Sequence, residues 1–202
     1  MSEEQVTAIA ALGDATRRQV YQVVVGHGGV LSRDEVAAQL GIGRTLAAFH
    51  LDKLVEAGLL ETSFARGPHG GRPAKLYCRS GAEVAVSLPP RSYVDAAELL
   101  AEAVEKAGAD HTLHRVARKR GLALKQPDMW EALRERGYEP FADGGVTKLR
   151  NCPFHALAQE FPPLVCGMNL ALLKGMAEGS GWPVEPKMAP QAGQCCVVLE
   201  DK

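Results

Sequence analysis

No run of about 18 consecutive apolar residues occurs in the 202-residue chain, so no stretch reads as a membrane-spanning helix. Its start, MSEEQVTAIAALGDATRR, lacks the basic cluster and apolar core of an export signal, which predicts a cytoplasmic protein. Walker loop, HExxH and GxSxG patterns are missing, which removes the motif basis for the common nucleotide and hydrolase chemistries. Neither charge sign dominates: the formal net charge is -1, which argues against a uniformly basic nucleic-acid coat. Five cysteines occur without a close Cys-x2-Cys pair, and without an export signal they do not read as a disulfide framework. What remains has the composition of a globular protein, long enough for one large domain or two small ones.

The most informative stretch runs from Ser32 to Arg79. Arg44 to Ala57 reads as a helix, because Ala47, Leu51, Leu54 and Val55 recur at helical spacing and form one apolar face. Thr45, Phe49 and Lys53 fall on the opposite side, a mixture of hydroxyl, ring and cation that suits a base edge and a phosphate, with Arg44 at the N-terminus. Asp34 to Leu40 reads as a shorter helix, joined to the first through Gly41-Ile42-Gly43, where glycine makes a tight turn sterically easy. Together they form a helix-turn-helix.

Leu59 to Ala65 and Ala74 to Cys78 then read as two strands bridged by RGPHGGRP, which predicts a wing. Arg66, His69, Arg72 and Lys75 gather around that loop, with no acidic residue between Thr62 and Arg79. Such a loop suits phosphates or the narrow minor groove. Upstream, Glu3 to Val25 carries an apolar pattern interrupted at Gly13-Asp14, where Asp14 can cap a second helical segment. A short strand at Val30-Leu31 is placed to pair with the wing, and Ser32 to cap the next helix.

Val86 to Arg91 (VSLPPR) reads as a stiff linker. Tyr93, Ala97, Leu100 and Val104 then mark an amphipathic helix, suited either to dimerisation or to packing on its own domain. Asp110 to Arg120 predicts a basic helix ending at Gly121, and its charges read as a solvated face. Pro127 opens a helix with Trp130 and Leu133 inward, ended by Gly137; Asp143-Gly144 signals a hairpin. Two helical pieces split at Pro162-Pro163, and strands around Val184 to Met188 and Cys195 to Leu199, complete an α+β half. The expected organisation is a winged helix-turn-helix over residues 1–86, a linker and dimerisation helix over 87–108, and a C-terminal α+β sensor domain over 109–202.

Cys78 falls in the wing strand as a small buried side chain, whereas Cys152, Cys166, Cys195 and Cys196 are confined to the C-terminal half. Cys152 sits at a strand end before a proline. Cys166 sits in the first turn of a helix starting near Pro163, where the helix dipole favours thiolate. Neighbouring positions in a strand point to opposite faces, so only one of Cys195 and Cys196 can readily join a given site.

LGDATRRQVYQVV, DEVAAQLGIGRTLAAFHLDKLVEAGLLE and GGRPAKLYCRS resemble the winged-helix transcriptional regulators of the ArsR-like and DeoR-like type, and most the SufR-related group. That resemblance implies a cytoplasmic homodimeric regulator, usually a repressor, rather than an enzyme. DNA contacts are then expected from the second helix of the pair (Arg44, Thr45, Phe49, His50 and Lys53) and from the wing (Arg66, His69, Arg72 and Lys75). LRNCPFHALAQEFPPLVC and GQCCVV are similar to the SufR-type domain in which cysteines hold an iron–sulfur cluster. This carries over to Cys152, Cys166 and one of Cys195 or Cys196; no cysteine stands between Cys166 and Cys195 where a four-cysteine member has one. His155, the other cysteine of the pair or an exogenous group is left as fourth ligand. Zinc accepts the same donors, and absence of metal is the remaining alternative. Two further readings compete. An apolar small molecule could be held by Trp130, Phe141, Phe154, Phe161 and Trp182, or Cys152 and His155 could serve as thiol and base of an enzyme.

Overall fold

The computed structural model describes residues 2–66, 73–191 and 193–202, and these form an α+β structure of two compact units, Met1–Arg91 and Ser92–Lys202. The expected wing contacts His69 and Arg72 lie outside the described residues.

In the first unit, helix α1 (Glu3–Ala11) ends ahead of Asp14, whose carboxylate accepts the Arg17 N–H at 2.8 Å and caps α2 (Ala15–His27). Strand β1 (Leu31–Ser32) leads into α3 (Arg33–Leu40), opened by a reciprocal capping box between Ser32 and Glu35. Gly41 closes α3 with φ +64°, a left-handed conformation that lets the chain turn directly into α4 (Arg44–Glu56). Strands β2 (Leu60–Ala65) and β3 (Ala74–Arg79) follow, and the antiparallel sheet has the order β1-β3-β2, with Tyr77 of β3 facing Leu31 on one side and Thr62 on the other. Val20, Val24, Leu31, Val36, Ala47, Leu51, Leu54, Leu60 and Tyr77 make one core, so the apolar stripe of α4 is buried as its spacing predicts. This is a helix-turn-helix with a wing.

The second unit begins with α5 (Tyr93–Lys106) and α6 (Asp110–Leu122). Helix α7 (Met129–Glu135), capped by Asp128, leads to the hairpin β4 (Pro140–Asp143) and β5 (Val146–Leu149). Helix α8 (His155–Glu160) precedes the long α9 (Pro162–Ser180), and β6 (Val184–Met188) and β7 (Val197–Asp201) complete an antiparallel sheet of order β4-β5-β7-β6. Leu133, Tyr138, Leu149, Leu173, Met176, Trp182, Val184, Val197 and Leu199 form its core.

Helices α6 and α9 cross at backbone contact. A Cβ on Gly121 would sit 2.3 Å from the Leu172 carbonyl oxygen, and one on Gly175 2.2 Å from that of Arg118. Gly121 therefore does not end α6, as its position after a basic run predicts; it lies buried within the helix and is the point where α9 passes. The chain beyond α6 is stapled to the end of α9, where Trp182 Nε1 donates to the Gln126 carbonyl at 2.8 Å and the Ser180 hydroxyl to the Leu124 carbonyl at 2.9 Å.

Candidate functional site

Helix α4 presents its outer face through Thr45, Leu46 and Phe49, and the Phe49 ring is 52% exposed. An apolar ring left in water on such a face suits contact with a thymine methyl or a sugar edge. Arg44, at the first turn, pairs with Asp34 of α3 at 2.7 Å with both side chains well exposed, so its guanidinium is accessible to a phosphate. Lys53 pairs with Glu56 at 2.6 Å one turn on.

Two expected contacts stand elsewhere. His50 is 5% exposed, because it shares the inward stripe of Ala47, Leu51 and Leu54; its Nδ1 has no hydrogen-bond partner among the described residues, and its ring meets Phe49 edge-on at 5.3 Å between centroids. Lys75 reaches back to α4, where its ammonium donates to Asp52 at 2.7 Å, and the Tyr77 hydroxyl donates to the same carboxylate oxygen at 3.1 Å. Lys75 thus ties β3 to the recognition helix. Arg66 is exposed at the end of β2. The sequence reading missed Phe64, 67% exposed two residues before it. Leu60, Thr62 and Phe64 share one face of β2 by strand alternation, and Phe64 carries that face beyond the core.

Burial is the largest influence on Asp52 and raises its pKa, but the hydrogen bonds from Lys75 and Tyr77 and the Lys75 charge together leave it below its ordinary value. A carboxyl depressed in the folded state stabilises that state above its unfolded pKa, and the benefit disappears as pH falls through the folded value. Asp52→Asn is therefore expected to flatten the loss of stability below about pH 4, with a cost at neutral pH of up to about 1 kcal/mol for this half-exposed pair. Urea midpoints at about pH 7 and pH 3.5 check it; identical acid sensitivity in both proteins would refute the role given to this tie.

The second candidate site is in the other unit, where the segment bearing Cys195 and Cys196 meets the end of β5. Cys195 and Cys196 lie ahead of β7 rather than within it, in the turn that precedes Val197. The Cys195 N–H donates to the Leu149 carbonyl at 2.9 Å, which brings the turn against the end of β5, just before Cys152. Cys152 and Cys196 pack half-buried against the core that contains Cys195. The Cys195 sulfur accepts from Asn169 Nδ2 at 3.3 Å, while Asn169 Oδ1 accepts from the Tyr138 hydroxyl at 2.5 Å.

The hydrogen bond to Cys195, followed by burial, pushes the Cys152 thiol well above its ordinary range. At Cys195 the Cys152 contact pulls the other way, but the Cys196 contact and burial outweigh it and push the thiol up to about 11. Tyr138 is raised chiefly by burial. Both thiols are therefore protonated at neutral pH, and a metal that bound there would have to displace protons.

Cys166 lies just past the first turn of α9, not within it, and Cys78 is half-exposed in β3 with its thiol 3.9 Å from the Glu61 carbonyl oxygen. His155 is exposed and its Nε2 stands 3.1 Å from Gln159 Nε2, a contact within its own helix. Thiols are donors of the kind a thiophilic metal takes, but among the described residues no three His, Cys, Asp or Glu side chains form a group that could hold a metal ion. Of the aromatic side chains, Trp182 is buried in the core, Phe141 stacks under Arg150 and Trp130 under Arg134.

No helix among the described residues is long and apolar enough to cross a membrane. No curated protein matches the chain. Residues 12–63 match the family model described as a helix-turn-helix domain, a span running from the end of α1 through α4 into β2. With its recognition face exposed and a wing beside it, the Met1–Arg91 unit carries a helix-turn-helix DNA-binding domain of the kind found in transcriptional regulators.

Proposed function

We propose that the protein is a homodimeric transcriptional repressor related to the SufR-like regulators, which senses iron–sulfur or redox status through Cys152, Cys166 and Cys195. The observation that carries the sensing half is the buried Cys195 sulfur, which accepts an N–H from a buried asparagine while Cys152 packs against the same core, in a unit separate from the DNA-binding one. Thiolates from these residues would hold the cluster, with His155 or an exogenous group completing the set. An iron–sulfur cluster, when bound, supplies a redox-sensitive link between segments distant in sequence.

Helix α5 supports the dimer: Tyr93, Val94, Leu99 and Leu100 are all more than half exposed, and Ala101 is its only buried residue. Two copies would place their α4 helices in successive major grooves, about 34 Å apart, so a small change in spacing alters operator affinity.

The test is metal, sulfide and visible-absorption analysis of protein purified without oxygen, followed by operator titration with the cluster present and removed. The expected result is iron and sulfide that are lost in Cys152→Ser, and an operator affinity that differs about 5- to 150-fold between the two forms. Zinc in place of iron would assign a zinc regulator. Equal affinity with and without the cluster would end the sensing reading, since a ligand without differential affinity shifts nothing.

A further inference from the structure

Gly167, Ala171, Gly175 and Gly179 recur at every fourth position of α9, on the side turned to α6. At Gly175 and Gly179 the missing side chains are replaced by α6 backbone, but nearer the start of α9 the two helices leave an open groove of about 450 Å³. That is large enough for a small molecule. Its walls are His114, Arg115 and Arg118 on one face of α6 and Leu170, Ala171 and Lys174 on one face of α9. None of the residues lining it is acidic. The His114 ring lies over Gly167, with Nε2 3.4 Å from the Leu164 carbonyl oxygen. Arg118 is paired with Glu178, one turn beyond Lys174, and the Arg115 guanidinium donates to the Thr112 hydroxyl at 3.1 Å. Lys174 is half-buried and has no hydrogen-bond or ion-pair partner among the described residues. A cation withdrawn from water is costly unless a counter-charge meets it.

The geometry points to this groove as a binding site for a small amphipathic carboxylate, its head on the Lys174 ammonium and the Arg115 guanidinium and its apolar tail over Leu170 and Ala171. Each part of the ligand answers one part of the lining. A carboxylate supplies the counter-charge that Lys174 lacks, and guanidinium donors match its two oxygens. An inorganic anion would leave the Leu170 and Ala171 floor in water, and a neutral apolar molecule would leave the lysine without a partner. Because Gly167 and Ala171 are small, a tail can lie against the α9 backbone between the two helices. The site does not rest on the thiol-sensing reading.

Calorimetric titration of the full-length chain with octanoate, octan-1-ol and acetate tests the assignment without metal or DNA. Octanoate is expected to bind once per chain, at least about 10-fold more tightly than either the alcohol, which lacks the charge, or acetate, which lacks the tail. Lys174→Met keeps the aliphatic stem and removes the charge, so it should weaken octanoate about 10-fold and leave octan-1-ol unchanged. Leu170→Ala should weaken octanoate and octan-1-ol alike. Thermal midpoints are measured for both variants; Lys174 makes no contact that holds the fold, so Lys174→Met decides the outcome even where Leu170→Ala loosens the unit. No binding of octanoate by the wild-type chain, equal affinity for octanoate and octan-1-ol, acetate bound as tightly as octanoate, or unchanged octanoate affinity in Lys174→Met would each overturn the assignment.

Discussion

Gly175→Ala is expected to lower the stability of the Ser92–Lys202 unit by about 2 kcal/mol or more, while the Met1–Arg91 unit keeps its own unfolding transition. Two effects compete. In an open helix, alanine gains about 1 kcal/mol over glycine by restricting the unfolded chain and favouring helix. Here the new Cβ would lie 2.2 Å from the Arg118 carbonyl oxygen and 3.0 Å from the Leu122 nitrogen. Those atoms are backbone, so relief requires α6 to move as a body, which breaks the contacts around Gly121 on the same seam. Overpacking of well-packed interiors costs about 1–3 kcal/mol and more where nothing can yield, so the clash wins. Gly26, at the exposed end of α2 with nothing within 4 Å of its built Cβ, is the control: Gly26→Ala is expected to stabilise slightly. Calorimetric scans of both variants check the pair. Wild-type stability in Gly175→Ala would mean that α6 and α9 do not meet this closely.

Phe49→Ala and Arg44→Ala are each expected to weaken operator binding by about 5- to 150-fold, corresponding to about 1–3 kcal/mol per lost contact. Neither side chain holds the fold. Phe49 projects from the outer face of α4, and the exposed Arg44–Asp34 pair contributes at most about 1 kcal/mol. Unfolding midpoints should therefore move little while affinity falls, and that separates recognition from stability. The two variants should also differ from each other. Arg44→Ala reduces the salt dependence of binding by about one unit of slope where its partner is a phosphate, whereas Phe49→Ala leaves the slope unchanged and relaxes preference at one base pair. The measurement is fluorescence anisotropy over a range of salt, on duplexes selected from a random pool by the wild-type protein. Unchanged affinity in both variants would remove α4 as the reading helix.

Much of the first unit was legible in the sequence because its signals are short in range. Asp14 and Ser32 cap helices through N–H groups three residues on, Gly41 turns the chain where it stands, and Ala47, Leu51 and Leu54 repeat within one helix. His50, expected among the DNA contacts from the resemblance, is buried because it lies on the apolar stripe of the same helix. Phe64 was legible in principle, as the third residue of an alternating face, but where the core stops under that face depends on the rest of the unit.

The chain's sequence by itself determined a winged helix-turn-helix, an amphipathic α5 and an α+β half rich in cysteine, because periodicity and caps act over a few residues. Tertiary structure alone decided that Lys75 braces the wing through a carboxylate 23 residues away. It alone decided that Gly121 is a crossing point rather than a helix end, and that the Cys195 sulfur meets an asparagine 26 residues distant. Each of those outcomes depends on which groups meet across the fold. A residue's type and its neighbours in sequence carry no information about that until the layers have packed.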